Sequence, residues 1–343
     1  MVTLKDVAEF CGVSTATVSL ALNGGPVNAK TRAKVVEAAR KLNYVPNAIG
    51  RSLITGRTGN ILLLTLTSDL YTDTVRKTSL FYYILEGVLS IANERNYGVR
   101  FDVKGHDDPG LAEYFERLVG GGAVDGIAII PQFQRGNDFM KGILQQRFPY
   151  LLLQPKRFGP TENFVDMGNY EGGFLVAKLF VAAVAKRVVF INGPKMHVDC
   201  IERERGFRDG IAKANLESLK VWYSDFTIHG GYLGMSELLR QGRPDSIFCS
   251  NDYMAAGAVR RLLEAGIRVP GDVSVVGYDD NDICSGIFPP LTSVNNRFFE
   301  LGNALAEGLF AQIDGQTEAR QQTLVPFLVE RQSHRQVLQA NIR

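Results

Sequence analysis

Apolar residues open the chain with helical spacing. Leu4, Val7, Ala8 and Cys11 fall at i, i+3, i+4 and i+7, one face of a first helix. Gly12 interrupts the pattern, and Ser14 is placed to cap a second helix that carries Val18, Ala21 and Leu22 inward. Asn28 can cap a third, with Val35, Val36, Ala39 and Leu42 as its apolar side and Pro46 as its stop, because the residue before proline disfavours α geometry. Residues 1–45 are therefore expected to form an all-α helix-turn-helix domain, whose second helix suits a DNA major groove. The segment 46–59 is expected to be a hinge helix or linker. Asn47–Ile54 has room for about two turns, which is marginal alone in water. Gly50 lowers its propensity by about 1 kcal/mol relative to alanine, so folding is expected only when DNA and a partner chain hold it.

From residue 60 the period changes. Ile61–Leu66 is a continuous apolar run, as in a parallel strand buried on both faces. Helices and strands then alternate: helix 82–96, strand 99–103, helix 111–121, strand 126–130, helix 137–146 and strand 150–153. The rhythm continues with helix 171–185, strand 187–192, helix 202–214, strand 219–223, helix 230–241, strand 246–249, helix 252–265 and strand 273–276. Repeated βα units imply parallel sheets in two Rossmann-like α/β lobes, whose ligands sit at the carboxyl ends of strands.

Charge sharpens the picture. Residues 1–59 hold eight Lys/Arg against three acids, whereas the whole chain is only +2. Positive charge is thus concentrated where phosphates would be met. With 45% hydrophobic and 22% charged residues, a packed globular core is expected. No run approaches the roughly 18 apolar residues of a membrane span, and Lys5 and Asp6 come too early for a signal peptide. A cytoplasmic protein is expected. The four cysteines (Cys11, Cys200, Cys249, Cys284) are scattered and read as buried thiols. The histidines lack ligand spacing, so no metal and no cofactor is expected.

Residues 3–57 resemble the DNA-binding head and hinge of the LacI/GalR family of bacterial transcription regulators. The match runs through Thr17-Val18-Ser19, Leu22-Asn23, Thr31-Arg32, Tyr44, Pro46-Asn47 and Leu53. The resemblance implies that Thr15, Ala16 and Leu20 face base edges and that Ser14, Thr17, Asn23 and Thr31 contact the backbone. Leu53 would be an apolar wedge in the minor groove. Thr3, Asn28, Arg32, Asn47 and Gly50 complete the implied DNA-contacting set. Many members carry Arg where this chain has Leu20. Leucine cannot read guanine as arginine does, so the operator of better-known members does not transfer.

The second half resembles the same family, whose core is like that of periplasmic sugar-binding proteins: two lobes and three crossovers. Arg203-Glu204-Arg205-Gly206-Phe207, Ser250-Asn251-Asp252-Tyr253-Met254-Ala255, Val269–Asp280 and Pro289–Val294 carry the match. The resemblance implies an effector-binding and dimerisation core over 60–343. Lobe one would take about 60–158 plus 291–320, and lobe two about 159–288 plus 323–335. It implies Arg203 and Asp252 as a polyol-gripping pair, Phe226 as a stacking aromatic and Gln154 as a polar strand-end residue, with Phe81 and Asn169 also at the effector. The alternatives are an inter-element salt bridge for Arg203 and Asp252, and core packing for Phe226 and Phe81.

Two departures bear on the ligand. Gly168 stands where relatives commonly have Asp. The polar segment 68–79, with Arg76 and Lys77, is long; it suits either a solvated loop or a cleft that takes an acidic or phosphorylated sugar. The chain carries no appended leucine heptad, so a homodimer is expected. An enzyme with this core would need a nucleophile, an acid–base pair or a phosphate loop. Gly120-Gly121-Gly122 follows a helix and lacks the Lys-Ser/Thr ending. A secreted sugar receptor would need a signal peptide instead of a basic head. The reading is a DNA-binding transcription regulator, expected to be a repressor, controlled by a sugar or sugar derivative bound between the lobes.

Overall fold

The computed structural model describes residues 2–22, 25–44, 56–68, 80–133, 147–153, 163–212 and 214–335. Asn23, Asn47, Gly50, Leu53, Gln154, the helix expected at 137–146 and most of the polar segment 68–79 lie outside them. The chain divides into two compact units, residues 1–60 with 122–125 and residues 61–121 with 126–343.

Among its described residues the first unit contains three helices: α1 (Leu4–Cys11), α2 (Thr15–Leu22) and α3 (Ala29–Lys41). Each is capped from the sequence. Thr3 and Asp6 form a reciprocal capping box, with the Thr3 amide donating to Asp6 at 2.7 Å. The Thr17 amide donates to Ser14 Oγ at 3.1 Å, and the Thr31 amide to Asn28 Oδ1 at 2.8 Å. Gly12 ends α1 at φ 63°, a left-handed turn that costs glycine no Cβ clash. Val7, Ala8, Cys11, Val18, Ala21, Val35, Ala38 and Ala39 form the core. Val36, expected inside, is 50% exposed; the buried residues of the next turn are Ala38 and Ala39, three and four after Val35. The third helix also stops sooner than Pro46 requires, since Asn43 turns left-handed at φ 50°.

The second unit contains two six-stranded sheets. Lobe one is built from β1 (Asn60–Thr67), β2 (Gly98–Gly105), β3 (Gly126–Pro131), β4 (Tyr150–Leu153), β5 (Phe164–Asp166) and β11 (Gln321–Thr323), in the order β11-β5-β4-β3-β1-β2. Helices α4 (Leu80–Glu94), α5 (Leu111–Gly120) and α11 (Phe298–Ile313) accompany it. Ile61, Leu63, Ala128, Ile130, Leu151 and Leu153 pack with Ile84, Val88, Leu301 and Leu305 into one core.

Lobe two is built from β6 (Arg187–Asn192), β7 (Ser218–Tyr223), β8 (Ser246–Cys249), β9 (Ser274–Tyr278), β10 (Thr292–Asn295) and β12 (Phe327–Val329), in the order β12-β10-β9-β8-β6-β7. Its helices are α6 (Asn169–Ala182), α7 (Val198–Ile211), α8 (Ile228–Arg240), α9 (Asp252–Glu264) and the short α10 (Ile283–Gly286). Alternate residues of β6 feed two cores. Val189 and Ile191 pack with α8 and α9, while Val188 and Phe190 pack with α6 and α7. Burial on both faces explains why these strands read as unbroken apolar runs.

Three crossovers join the lobes, as expected, but at shifted positions. β5 pairs with β4 and β11 in lobe one, whereas the expected boundary places 159 onward in lobe two. β10 pairs with β9 and β12 in lobe two, whereas the expected boundary places 291 onward in lobe one. Strand pairing, which no local pattern encodes, draws each chain segment past the expected boundary. α7 likewise starts at Val198, four residues before expectation, because the His197 side chain caps it by accepting from the Asp199 amide.

The first and third crossovers pack on each other. Gly168, just before α6, sits at φ 67°, and a Cβ there would lie 2.7 Å from Pro326 and 2.8 Å from the Leu324 carbonyl oxygen. The Asp166 carboxylate accepts from the Gly168 amide at 2.9 Å. Gly168→Ala should therefore destabilise the core by at least about 1–2 kcal/mol, the left-handed backbone cost alone. Thermal unfolding of parent and variant measures it.

Candidate functional site

The head presents an outward face on α2. Thr15, Ala16 and Leu20 are exposed, while Val18 and Ala21 hold the opposite face inside. Leu20 is 41% exposed although apolar, which suits contact with a base edge. Four other implied DNA contacts use their side chains within the head. Thr3, Ser14 and Asn28 are capping residues, and Arg32 Nη2 donates to the Gly25 carbonyl at 2.6 Å. The Ser14 and Thr17 hydroxyls lie 2.9 Å apart.

The second candidate site lies where the lobes meet, at the carboxyl ends of the strands. A small cavity there is walled on lobe one by Phe81, Ile84, Ile130, Leu153 and Met167, with Gln132 beside them. His197 and Asp199 face it from lobe two. The Val198 amide donates to the Gln132 carbonyl at 2.9 Å across the gap. Phe133 of lobe one meets the His197 ring edge-on at 5.3 Å, and His197 meets Phe226 at 5.0 Å. Burial holds His197 below the usual imidazole range.

Behind this edge is Arg203, only 2% exposed. Nε donates to Asn169 Oδ1 at 2.7 Å, Nη1 to the Ser250 carbonyl, and Nη2 to Asp279 Oδ1 at 3.3 Å. Its guanidinium stacks over the Tyr278 ring at 3.7 Å. Asn169 Nδ2 donates to Asp199 Oδ1 at 3.2 Å, and Asp199 Oδ2 lies 3.9 Å from Arg203. Burial opposes the guanidinium charge, but Asp279, Tyr278 and Asp199 more than offset it. Asp279 is pushed up by burial, and Asp252 and Asp199 add to the rise, while Arg203 pulls the other way.

Arg203, Asn169, Phe226 and Phe81 are thus gathered around one boundary, whereas Arg203 and Asp252 form no ion pair with each other, which removes the inter-element salt bridge as the alternative. The carboxylate facing Arg203 is Asp279. Asp252 is fully buried and turns away: Oδ2 accepts from the Asn281 amide at 2.8 Å and Oδ1 from Ser293 Oγ at 2.6 Å. Sequence reasoning missed His197, Asp199 and Asp279. The first two lie in the turn and first helical turn after β6, and Asp279 directly follows β9. The strand-end rule, applied residue by residue, points to all three.

A helix-turn-helix followed by a two-lobed core of this topology defines a DNA-binding transcription regulator. Family models agree: residues 3–47 match bacterial regulatory proteins of the lacI family, and residues 177–334 match a periplasmic binding protein-like domain. The chain is 31% identical over 346 residues to the HTH-type transcriptional repressor PurR of Mannheimia succiniciproducens, covering 98% of this chain and 100% of that protein. It is 33% identical over 324 residues to the regulator CelR of Thermobifida fusca, covering 92% and 93%. Among solved structures, the lac repressor dimer bound to operator and the anti-inducer ONPF aligns with a TM-score of 0.82 at 28% identity, covering 97% and 98%. A CelR–cellobiose complex aligns with a TM-score of 0.72 at 30% identity, covering 97% and 100%. The chain belongs to the lacI family of bacterial regulatory proteins. It is a regulator of transcription and not an enzyme.

The burial of Asp252 has a pH signature. Its carboxyl is pushed up to about 7 by burial, against the bonds from Ser293 and Asn281. An unfolded aspartate ionises near pH 4. Between these values the unfolded chain releases the proton more readily, so stability falls as pH rises from about 4 to about 7 and then levels. Asp252→Asn removes that component. The unfolding free energy of the parent minus that of the variant should fall by up to about 1.4 kcal/mol per pH unit across this window. Denaturant unfolding at several pH values measures it, and a pH-independent difference would contradict it.

Proposed function

We propose that this regulator is a repressor whose operator affinity is set by a small neutral sugar or sugar derivative bound between the lobes. The observation that carries this reading is the buried Arg203 held against Asp279 and Asn169, with Asp199 at the cavity edge. A guanidinium donates to hydroxyls and carboxylates accept from them, so the cluster can grip a polyol from lobe two. Phe81, Ile84 and Ile130 offer an apolar wall to the CH face of a sugar. Among the described residues, Arg203 is already engaged by Asp199 and Asp279, which leaves it little charge to offer a phosphate. The CelR relative is structurally known with cellobiose, which supports the sugar class.

In this reading the protein works as a homodimer, as the lac repressor does on its operator. Thr15, Ala16 and Leu20 read bases, and Ser14, Thr17, Asn23 and Thr31 contact the backbone together with the other implied positions. Leu53 wedges the minor groove when the hinge folds on DNA. The effector changes the lobe arrangement and thereby the spacing of the paired hinges. Its leverage equals its differential affinity for the two states, typically about 1–3 kcal/mol.

A thermal-shift screen of neutral sugars and sugar phosphates, followed by operator binding with each hit, tests the proposal. Neutral sugars should raise the melting temperature and shift operator affinity; sugar phosphates should not. Asp279→Asn should weaken the hit by about tenfold or more, since a hydrogen bond to a charged group contributes about 1.5–3 kcal/mol. Its operator affinity without effector should match the parent.

A second expectation concerns salt. Operator affinity should fall steeply with ionic strength, with a log–log slope of about −0.9 per phosphate neutralised. Lys30→Ala, Lys34→Ala or Arg40→Ala should flatten that slope for any head lysine or arginine that meets a phosphate. Fluorescence anisotropy across a salt series measures it.

A further inference from the structure

Asp252 bonds to Asn281 and Ser293, not to Arg203, and its surroundings are built around it. It is the first residue of α9, 0% exposed, in a motif whose other two members serve the site indirectly. The Ser250 carbonyl accepts from Arg203. Asn251 caps α9 through Oδ1 and donates from Nδ2 to the Phe226 carbonyl at 2.9 Å. Phe226 is left-handed at φ 66°, a costly conformation for an aromatic residue. The third member, Asp252, spans two segments. Oδ2 holds the turn after β9 at Asn281, and Oδ1 holds β10 at Ser293.

The turn that it holds is unusual. Asp279 and Asp280 are left-handed in succession, at φ 100° and φ 55°. Such a turn persists only where its surroundings over-determine it. Ser293 Oγ also accepts from the Asp280 amide at 3.1 Å, so a single hydroxyl links Asp252 to the turn a second time. The Asp279 amide donates to the Val294 carbonyl at 2.8 Å, and Asn296 Nδ2 donates to Asp279 Oδ1 at 3.0 Å. β10 and Asn296 lead into the second crossover between the lobes.

We propose that Asp252 is a positioning residue: it clamps the 279–281 turn onto β10 and so presents the Asp279 carboxylate to Arg203. The assignment rests on the effector role of Asp279 and Arg203 proposed above, but its test does not need an effector. Asparagine in place of Asp252 keeps one acceptor and turns the other into a donor, so one of the two clamps is lost.

The full-length protein and Asp252→Asn are compared by amide hydrogen exchange read residue by residue. The Asp279 and Asp280 amides do not bond to Asp252 directly. They should exchange about tenfold faster in the variant, because the clamped turn opens locally. The interior amides of β8 and β9, such as Phe248 and Val276, should keep the parent rate. Unchanged protection at Asp279 and Asp280 overturns the proposal. A uniform rise through β8 and β9 also overturns it, since that is the mark of a residue serving general stability. If Asp252→Asn does not fold, Ser293→Ala breaks the same clamp from the other side and is read at the Asp279 amide against β8 and β9, because the Asp280 amide bonds to Ser293 itself. Failure of every sugar to bind would remove the effector reading and leave the exchange result standing.

Discussion

Arg203 is the interaction on which the ligand end of lobe two depends. Leaving a guanidinium 2% exposed costs several kcal/mol of desolvation unless its donors are met and its charge is balanced. The lobe meets this from four directions. Asn169 comes from the start of α6, Ser250 from the end of β8, Asp279 from the end of β9, and the Tyr278 ring lies underneath. One side chain on α7 thereby fixes the relative positions of two helices and two strand ends. Asn169 passes the constraint on to Asp199, which faces the cavity. Rigidity at this edge follows from the need to satisfy one buried charge.

Much of this architecture is legible in the sequence, for a physical reason. The head announces itself because 3.6-residue periodicity, Ser14, Asn28 and Gly12 are local signals that act within a turn of where they stand. The parallel strands are legible because burial on both faces forces continuous apolar runs such as Ile61–Leu66. What the sequence conceals depends on pairing between distant segments. β5, β11 and β12 are three residues each, too short for a pattern, and they exist because neighbouring strands accept them. The lobe boundaries depend on those strands, so they shift with them.

The contact of Asp279 and not Asp252 with Arg203 has the same origin. Both carboxylates follow a strand in recognisable motifs, and nothing in either motif tells which faces Arg203. Orientation is decided by backbone geometry. Asp279 reaches Arg203 from a left-handed residue, whereas Asp252 opens a helix and finds the Asn281 amide and Ser293 behind it. Gly168 carries the reverse lesson. Its departure from the common Asp looks like a lost ligand contact. The structure gives it a conformational reason: the left-handed backbone and the close approach of Pro326 and Leu324 leave no room for a side chain.

Division of labour between the lobes constrains how a ligand can act. Among the described residues, lobe one contributes an apolar wall, which favours any ligand with a suitable face. Lobe two contributes the charged and hydrogen-bonding groups, held by Arg203. The lobes themselves meet through the Gln132–Val198 backbone bond and the edge-on contact of Phe133 with His197. A ligand that binds lobe two alone gains its hydrogen bonds whether the lobes are together or apart, and shifts nothing, since only a difference in affinity between states moves an equilibrium. The difference comes from the apolar wall, which a ligand touches only when lobe one is in place. Burial of its apolar face contributes about 25 cal/mol per Å2, so about 80 Å2 is enough for a coupling of about 2 kcal/mol. In the proposed arrangement the polar cluster would select the ligand, and the wall of Phe81, Ile84 and Ile130 would convert its binding into a change of state.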